Sequence, residues 1–294
     1  MTENPTTNIS FSHFDLPESL VQGIEEAGFL ACTPIQEKSL PLTLDGKDVA
    51  GQAQTGTGKT AAFLIATFNH LLRYPADEAR KVNQVRALIL APTRELAIQI
   101  HRDATKLGQH TGLILGLAYG GTDYDLQRQQ IADGVDVLIG TPGRIIDYFK
   151  QHVFDLRKAQ VVVLDEADRM FDLGFIKDIR YLFRGMPPVD QRQTLMFSAT
   201  LSHRVMELAY VHMNEPETLK VETEQVTADN VEQSVYYPAN KEKLPMLVQL
   251  LGDEGDGRVI VFTKTREGAD RIGRTLEANG LGRAVIAGRV DREW

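Results

Sequence analysis

The sequence has few of the residues that mark extracellular, membrane or metal-cluster proteins. A single cysteine, Cys32, occurs among 294 residues, which excludes an internal disulfide framework and a zinc site built from several cysteines. No apolar run approaches the roughly 20 residues that a membrane-spanning helix needs. The first ten residues are polar and do not resemble a secretory signal. Together these absences predict a cytoplasmic protein.

An excess of positive charge is also absent. The formal net charge is -8, which argues against a basic tail that binds polyanions in general. It does not exclude a nucleic-acid site, because local lysines, arginines and backbone N–H groups are sufficient for binding. The 43% hydrophobic and 24% charged residues are typical of a soluble globular protein.

The first 214 residues alternate short apolar segments with amphipathic helical patterns such as Glu95–Gly108 and Asp178–Arg184. The segments predicted as strands are Ala87–Ala91, Leu113–Ala118, Val135–Ile139, Val161–Leu164 and Thr194–Phe197. Continuously apolar strands between helices predict an α/β domain with a doubly wound parallel sheet. Ligands of such domains bind beyond the carboxyl ends of the strands.

The pattern changes after residue 214. The polar, acidic segment Glu215–Asn230 predicts a linker, and residues 231–294 predict the start of a second α/β domain. Its predicted elements are the strands Val231–Tyr237 and Arg258–Phe262 and the helices Lys241–Leu251 and Thr265–Asn279. About 100–150 residues are usual for a domain, so this second domain is expected to be incomplete.

A glycine-rich loop lies between a predicted strand, Asp48–Gly51, and a predicted helix, Ala61–Leu72. The predicted nucleotide-binding residues of this loop are Ala53, Gln54, Thr55, Gly56, Thr57, Gly58, Lys59 and Thr60. The loop nearly fits the P-loop pattern, in which amides at a helix N-terminus face phosphates. Lys59 would reach the β- and γ-phosphates, and the Thr60 hydroxyl would bind Mg²⁺. The alternative is an ordinary glycine-rich turn before a helix.

Two adjacent carboxylates, Asp165 and Glu166, follow the apolar run Val161–Leu164 directly. Charges at the end of a buried strand are costly unless a cation or hydrogen-bond donors meet them. A nucleotide-bound Mg²⁺ would meet Asp165, and Glu166 would orient and activate the attacking water. The alternative is a helix N-terminus with favourable acidic residues in its first turn.

Further motifs occur in a fixed order along residues 11–200 and resemble those of the DEAD-box RNA helicases. They are Phe11 with Gly28-Phe29 and Thr33–Gln36 (Q motif), Pro92–Leu96 (Ia), Gly120-Gly121, Thr141–Arg144 (Ib), Asp165–Asp168 (the Asp-Glu-Ala-Asp box) and Ser198–Thr200 (III). The segments Arg80–Gln84 and Phe171–Arg180 are similar to the bacterial RhlB type within this family.

This resemblance implies a RecA-like P-loop domain, an incomplete second RecA-like α/β domain, and ATP hydrolysis with Mg²⁺ coupled to RNA unwinding. Gln36 would read adenine, with Phe11 and Phe29 near the base, although plain core packing remains an alternative for both rings. The residues implied to contact RNA are Thr93, Arg94, Gly121, Thr141 and Arg144. Asp168, Ser198 and Thr200 would couple the nucleotide and RNA sides. The RhlB type implies a role in RNA turnover and a degradosome nuclease as partner.

The resemblance weakens after Arg258–Arg266, which is similar to motif IV. Arg289 stands where the family's His-Gly-Asp-like turn is expected near Gly288, and no residue matches the arginine finger. One hypothesis is therefore a truncated form of a full RNA helicase. The others are an ATP- and RNA-binding module without unwinding activity, and a P-loop DNA translocase. Gln36 and the Asp-Glu-Ala-Asp box argue against the translocase.

Overall fold

A computed structural model of the chain describes residues 6–54, 56–221, 234–253 and 259–281. The chain divides into two compact units, Met1–Gln225 and Val226–Trp294. Within the described residues, no helix is long and apolar enough to cross a bilayer. Predictions for Thr55, for residues 222–233, for Arg258 and for the turn at Gly288–Arg289 fall outside the described residues.

The described part of the first unit contains seven strands that form one sheet, and every strand pairing in it is parallel. The strands are β1 Val49–Gln52, β2 Ala87–Leu90, β3 Leu115–Ala118, β4 Val137–Gly140, β5 Val161–Leu164, β6 Gln193–Ser198 and β7 Glu217–Lys220. The helices are α1 Glu18–Glu26, α2 Pro34–Leu44, α3 Lys59–Arg73, α4 Arg94–Leu107, α5 Tyr124–Ala132, α6 Pro142–Lys150, α7 Ala167–Asp172, α8 Ile176–Phe183 and α9 His203–His212. Short 3₁₀ helices lie at Phe11–His13 and Val189–Gln191.

Both faces of the sheet are buried, as the predicted doubly wound architecture requires. Side chains of one strand alternate between the two faces, so Val161 and Val163 belong to one core cluster and Val162 and Leu164 to the other. All four β5 side chains are at most 2% exposed. This two-sided burial explains why the strands are continuously apolar in sequence. It confirms the predicted fold class for this unit, with strand ends that differ from prediction by at most two residues.

The order of the strands across the sheet is β3-β4-β2-β5-β6-β1-β7. The loops after β5, β6 and β1 therefore lie side by side at the carboxyl edge, and we call this region the P-loop half. The loops after β3, β4 and β2 form the neighbouring arginine half, named for Arg94 and Arg144. The two halves meet where β2 pairs with β5. Chain segments far apart in sequence thus converge along one edge of the sheet.

The sheet extends further along the chain than the sequence pattern predicts. Strand β7 lies inside the segment predicted as linker and pairs with β1 from Val49↔Glu217 to Gln52↔Lys220. At the opposite, amino edge of the sheet, Asp48 joins β1 to its neighbours. Its two carboxylate oxygens accept hydrogen bonds from the N–H groups of Thr194, at 2.8 Å, and Asn214, at 2.7 Å. The linker boundary at residue 215 was therefore placed too early.

The described part of the second unit contains two helices, α10 Lys243–Asp253 and α11 Arg266–Ala278, which pack against each other. Both agree with the predicted helices. The described portions of the two predicted strands, residues 234–237 and 259–262, form no strand. Tyr237 and Phe262 are more than 90% exposed there. A strand needs a hydrogen-bonded neighbour, and the described residues provide none for these segments.

Candidate functional site

The loop between β1 and α3 has the backbone geometry of a phosphate-binding loop. Gly56 and Gly58 have φ of 83° and 90°, in the left-handed region, and Gly58 is the N-cap of α3. A side chain at Gly58 would place its Cβ 2.7 Å from both Gln36 Nε2 and Thr33 Oγ1. Only glycine fits this position without displacing those groups. The first amides of α3 are therefore available at a helix N-terminus, where anions bind favourably.

Lys59 and Asp165 form a buried ion pair directly below this loop. Lys59 Nζ lies 3.3 Å from Asp165 Oδ1, and the two side chains are 5% and 2% exposed. The ammonium has no hydrogen-bond partner among the described residues. Burial raises the pKa of the Asp165 carboxyl, and the nearby Lys59 ammonium opposes that rise. A buried ammonium with unused donors is costly, and a phosphate oxygen would satisfy it.

Glu166 holds its carboxylate at the same strand end through a strained backbone. Its φ of 51° and ψ of 52° are left-handed, a conformation that costs roughly 1–3 kcal/mol in a residue other than glycine. Its N–H donates to Asp165 Oδ1 at 2.9 Å, and its Oε2 lies 2.9 Å from Arg169 Nη1. Strain of this kind persists only where the surroundings impose it, and it is concentrated at functional sites.

The last residue of the acidic box is bonded to the loop after β6. Thr200 donates to Asp168 Oδ2 from its N–H at 3.2 Å and from its hydroxyl at 3.3 Å. The Asp168 N–H donates to Ser198 Oγ at 3.2 Å. The P-loop is also connected to this strand, because the Ala53 N–H donates to Ser198 O at 3.0 Å. The structure thus brings together the three predicted coupling residues.

Gln36 connects the N-terminal region to the P-loop. Its Oε1 accepts from the Thr33 N–H at 2.8 Å, and its Nε2 donates to Gly58 O at 3.0 Å. These two bonds use one acceptor site and one N–H of the amide, and Gln36 is only 1% exposed. Phe11 and Phe29 pack edge to face at 6.1 Å. Phe11 is only 5% exposed and belongs to the core. Its position therefore agrees with the alternative that this ring serves core packing.

The arginine half contains two helix N-termini and the side chains of Arg94 and Arg144. Thr93 and Thr141 are the N-caps of α4 and α6. The Arg94 guanidinium carbon lies 4.8 Å from the centre of the Tyr119 ring. Its Nη1 would be 3.0 Å from a Cβ on Gly121, whose φ is 83°. All of the predicted RNA-contacting residues therefore lie in loops or helix starts that follow β2, β3 and β4.

Arg144 is held more firmly than Arg94. Its guanidinium carbon lies 4.7 Å from the Tyr124 ring centre and 5.3 Å from that of Tyr148, and its Nη1 donates to the Tyr148 hydroxyl at 3.0 Å. Sequence reasoning missed Tyr119, Tyr124 and Tyr148. The spacing of Arg144 and Tyr148, four residues apart on one helix, was the available signal.

The residues of the P-loop half fit a nucleoside triphosphate with its magnesium ion. The unused donors of the Lys59 ammonium suit phosphate, and the Thr60 hydroxyl and the Asp165 carboxylate are oxygen ligands of the kind Mg²⁺ prefers. Among the described residues, no three or more His, Cys, Asp or Glu side chains come together as a metal site. Mg²⁺ in nucleotide sites usually has few protein ligands, because phosphates and waters complete its shell.

A glycine-rich loop, a buried lysine and paired acids at the carboxyl edge of a parallel sheet define a P-loop nucleotide-binding domain. The family model of DEAD/DEAH box helicases matches residues 33–208. The chain belongs to this family. A crystal structure of a DEAD box protein from the hyperthermophile Methanococcus jannaschii matches with a TM-score of 0.65 and 30% sequence identity, over 95% of this chain and 72% of that one.

Curated relatives carry the name ATP-dependent RNA helicase RhlB, in agreement with the predicted RhlB-type resemblance. The chain is 58% identical over 294 residues to the protein of that name from Xanthomonas oryzae pv. oryzae, of which it covers 51%. It is 55% identical over 290 residues to the one from Escherichia coli O7:K1, of which it covers 69%. The chain thus spans about half the length of its Xanthomonas relatives.

Proposed function

We propose that this chain carries the ATP-binding part of an RNA helicase, in which RNA-stimulated ATP hydrolysis drives local unwinding of RNA duplexes. The observation that carries the proposal is the Lys59 ammonium, which is buried, 3.3 Å from Asp165 and without a hydrogen-bond partner in the described part of the chain. Such a group is stabilised by an anionic ligand. The names of the relatives supply the reaction class.

In this proposal each acidic or basic group of the P-loop half has one task. Lys59 binds the β- and γ-phosphates, while Thr60 and Asp165 hold Mg²⁺, which neutralises charge on the phosphates. Glu166 orients the attacking water and accepts its proton. The ion pair with Arg169 and the imposed backbone conformation fix the direction of the Glu166 side chain before ligands bind. Hydrolysis thus depends mainly on positioning and charge stabilisation.

RNA would bind along the arginine half through its sugar–phosphate chain. Helix N-termini capped by Thr93 and Thr141, the backbone at Gly121, and the guanidinium groups of Arg94 and Arg144 are suited to phosphates. Such contacts carry little sequence information. Asp168 is hydrogen-bonded to Ser198 and Thr200. Through these bonds, a change in the bound nucleotide would alter the conformation of the RNA-binding surface.

The wider biological role rests on the RhlB-type resemblance. We propose that the whole protein separates short RNA duplexes during RNA turnover in the cytoplasm, by gripping one strand and releasing the other. A degradosome nuclease is the partner proposed on the same basis. Hydrolysis would then reset the protein for another round.

The test measures binding, hydrolysis and unwinding on one preparation. Titration with fluorescent ADP and GDP, with and without Mg²⁺, should show magnesium-dependent affinity and a preference for adenine. Phosphate release from ATP should rise when single-stranded RNA is added, and strand displacement should favour RNA over DNA duplexes. Absence of magnesium-dependent nucleotide affinity would refute the proposal. Equal displacement of DNA would favour a DNA translocase, and RNA-stimulated hydrolysis without displacement would favour a binding module.

A further inference from the structure

Each of the two arginines assigned to RNA lies over a tyrosine that no predicted motif role includes. Arg94 lies over Tyr119 at 4.8 Å, and Arg144 lies over Tyr124 at 4.7 Å. Tyr119 follows β3, and Tyr124 is the first residue of α5. Arg94 begins α4, which follows β2, and Arg144 lies in the first turn of α6, which follows β4, so both pairs connect the β3–α5 region to the start of another helix. An arginine stacked on a tyrosine thus occurs twice on this surface, and one physical explanation can apply to both pairs.

The pair at Arg144 is embedded in a hydrogen-bonded network. The Tyr148 hydroxyl accepts from Arg144 and donates to the Tyr124 carbonyl at 2.8 Å. The Tyr124 hydroxyl donates to Asp147 Oδ2 at 2.9 Å. Tyr148 is fully buried, whereas Tyr124 and Arg144 are half-buried. The guanidinium therefore packs against a surface that is itself fixed to the core.

The pair at Arg94 is fixed in a different way. Gly121 presents bare backbone to the guanidinium, since any Cβ there would be only 3.0 Å from Arg94 Nη1. The Tyr119 N–H donates to Gln127 Oε1 at 3.2 Å, which anchors the base of the loop to α5. The ring below and the glycine beside it thus limit the orientations of the Arg94 side chain.

A free arginine side chain loses rotamer entropy when it is fixed on a ligand. A guanidinium stacked on an aromatic ring has lost much of that freedom beforehand, and its edge still offers N–H donors to phosphate. We infer that Tyr119 and Tyr124 are positioning residues that preorganise Arg94 and Arg144 for the RNA backbone. This inference rests on the proposed RNA-binding function.

The experiment compares Tyr124→Leu with Tyr124→Phe, which keeps the ring and loses only the hydroxyl. Affinity for a fluorescein-labelled single-stranded oligouridylate is measured across a series of salt concentrations. Tyr124→Leu should weaken binding about fivefold, the value of a partly desolvated cation–π contact. Because one phosphate contact would be lost, the slope of log affinity against log salt should fall by about 0.7. Tyr124→Phe should bind within twofold of the unchanged chain.

A double-mutant cycle separates positioning from a general structural effect. In the Arg144→Ala background, Tyr124→Leu should add less than a twofold loss, because the ring acts through the arginine. Magnesium-dependent ADP affinity should stay unchanged in Tyr124→Leu. The midpoint of thermal unfolding should fall in both Tyr124→Leu and Tyr124→Phe, because each loses the hydrogen bond to Asp147. RNA affinity across the salt series, ADP affinity and the midpoint of thermal unfolding are also measured for Tyr119→Leu, Tyr119→Phe and Arg94→Ala.

Several outcomes would overturn the inference. An equal loss from Tyr124→Leu with and without Arg144 would mean that the ring acts independently of the arginine. An unchanged salt slope, or a loss of ADP affinity, would indicate a structural role alone. If the unchanged chain binds no RNA while binding nucleotide, then the RNA part of the proposed function fails, and the inference fails with it.

Discussion

The P-loop half and the arginine half occupy one edge of the sheet but handle charge in opposite ways. In the P-loop half, Lys59 and Asp165 are almost fully buried, and the ammonium has no hydrogen-bond partner in the described chain. In the arginine half, Arg94 and Arg144 are half-buried and already lie on aromatic rings. A buried ion pair whose ammonium has unused hydrogen-bond donors makes the P-loop half depend strongly on its ligand. In the arginine half, the charges are half-buried and prearranged, so each arginine substitution there should reduce RNA binding by a small and independent amount.

The most severe test of this contrast is Lys59→Ala. We expect ATP hydrolysis to fall by about 1,000-fold, because a preorganised charge in a water-poor site contributes far more than one in water. Steady-state phosphate release with saturating RNA measures this. Lys47→Ala, which removes a lysine 47% exposed at the amino edge, is the control and should keep normal turnover. Normal turnover by Lys59→Ala would remove the distinction between the halves.

Glu166→Gln should separate binding from hydrolysis within the P-loop half. We expect ADP and ATP affinity to remain within about threefold, while hydrolysis falls by about 100-fold or more, because the amide cannot accept a proton. Equilibrium titration and single-turnover phosphate release measure the two effects. Asp172→Asn, a matched change at the end of the same helix, should alter neither. A large loss of affinity would instead assign Glu166 a structural role.

Asp48 provides a reference, because it is a buried carboxylate outside both halves and both of its oxygens accept hydrogen bonds. Burial raises the pKa of Asp48 from 3.8 to about 6, although the two backbone donors and Arg192 oppose the rise. The folded state then holds the proton at a pH where the unfolded chain has lost it. The free energy of unfolding should therefore decrease between about pH 4 and pH 6, by about 3 kcal/mol from this group.

Urea unfolding of the unchanged chain and of Asp48→Asn from pH 4 to pH 7 tests this. The difference between the two should change with pH in the stated window, because asparagine does not titrate there. Asparagine also loses one of the two acceptors, which adds an offset that is independent of pH. Asp45→Asn, a change at an exposed neighbour, should reproduce the pH dependence of the unchanged chain. If the free energy of unfolding of Asp48→Asn changed with pH in parallel with that of the unchanged chain, the prediction would be contradicted.

The smallest effect is expected in the arginine half. Arg94→Ala should weaken binding of single-stranded RNA about tenfold, uniformly across RNA sequences, and reduce the salt slope by about 0.7. Fluorescence anisotropy with three RNAs of different sequence measures this. Arg102→Ala, on the exposed side of the same helix, is the matched control. Sequence-dependent losses would show base contacts and would contradict backbone recognition.

The sequence predicted the strand–loop–helix units of the P-loop half, because the signals of these units are local. The run of four apolar residues before Asp165 and the loop before Lys59 each lie within one strand–loop–helix unit. Burial on both faces forces the apolar run, and the need for positive φ forces the glycines at Gly56 and Gly58. These constraints restrict the residue types at neighbouring positions, so the sequence alone indicates them.

What the sequence did not reveal depends on distant contacts or on solvent exposure. Strand β7 was read as linker because it is a four-residue edge strand with mainly exposed polar side chains. The partnership of Tyr124 with Arg144 joins two different helices, so no periodicity predicts it. The left-handed backbone of Glu166 is imposed by its surroundings, and its residue type gives no indication of it.

The two hydrogen bonds of Gln36 have a consequence for experiments on base choice. The same amide that is proposed to recognise adenine also caps α2 at Thr33 and holds the Gly58 carbonyl. Replacing it with alanine would release a helix end and the phosphate loop together, so weaker nucleotide binding could not be attributed to the base. Gln36→Glu keeps the cap acceptor but replaces the donor with a negative charge beside the Gly58 carbonyl, which would also disfavour phosphates. Discrimination between adenine and guanine is therefore best judged as a ratio of affinities, in which a general loosening of the loop cancels.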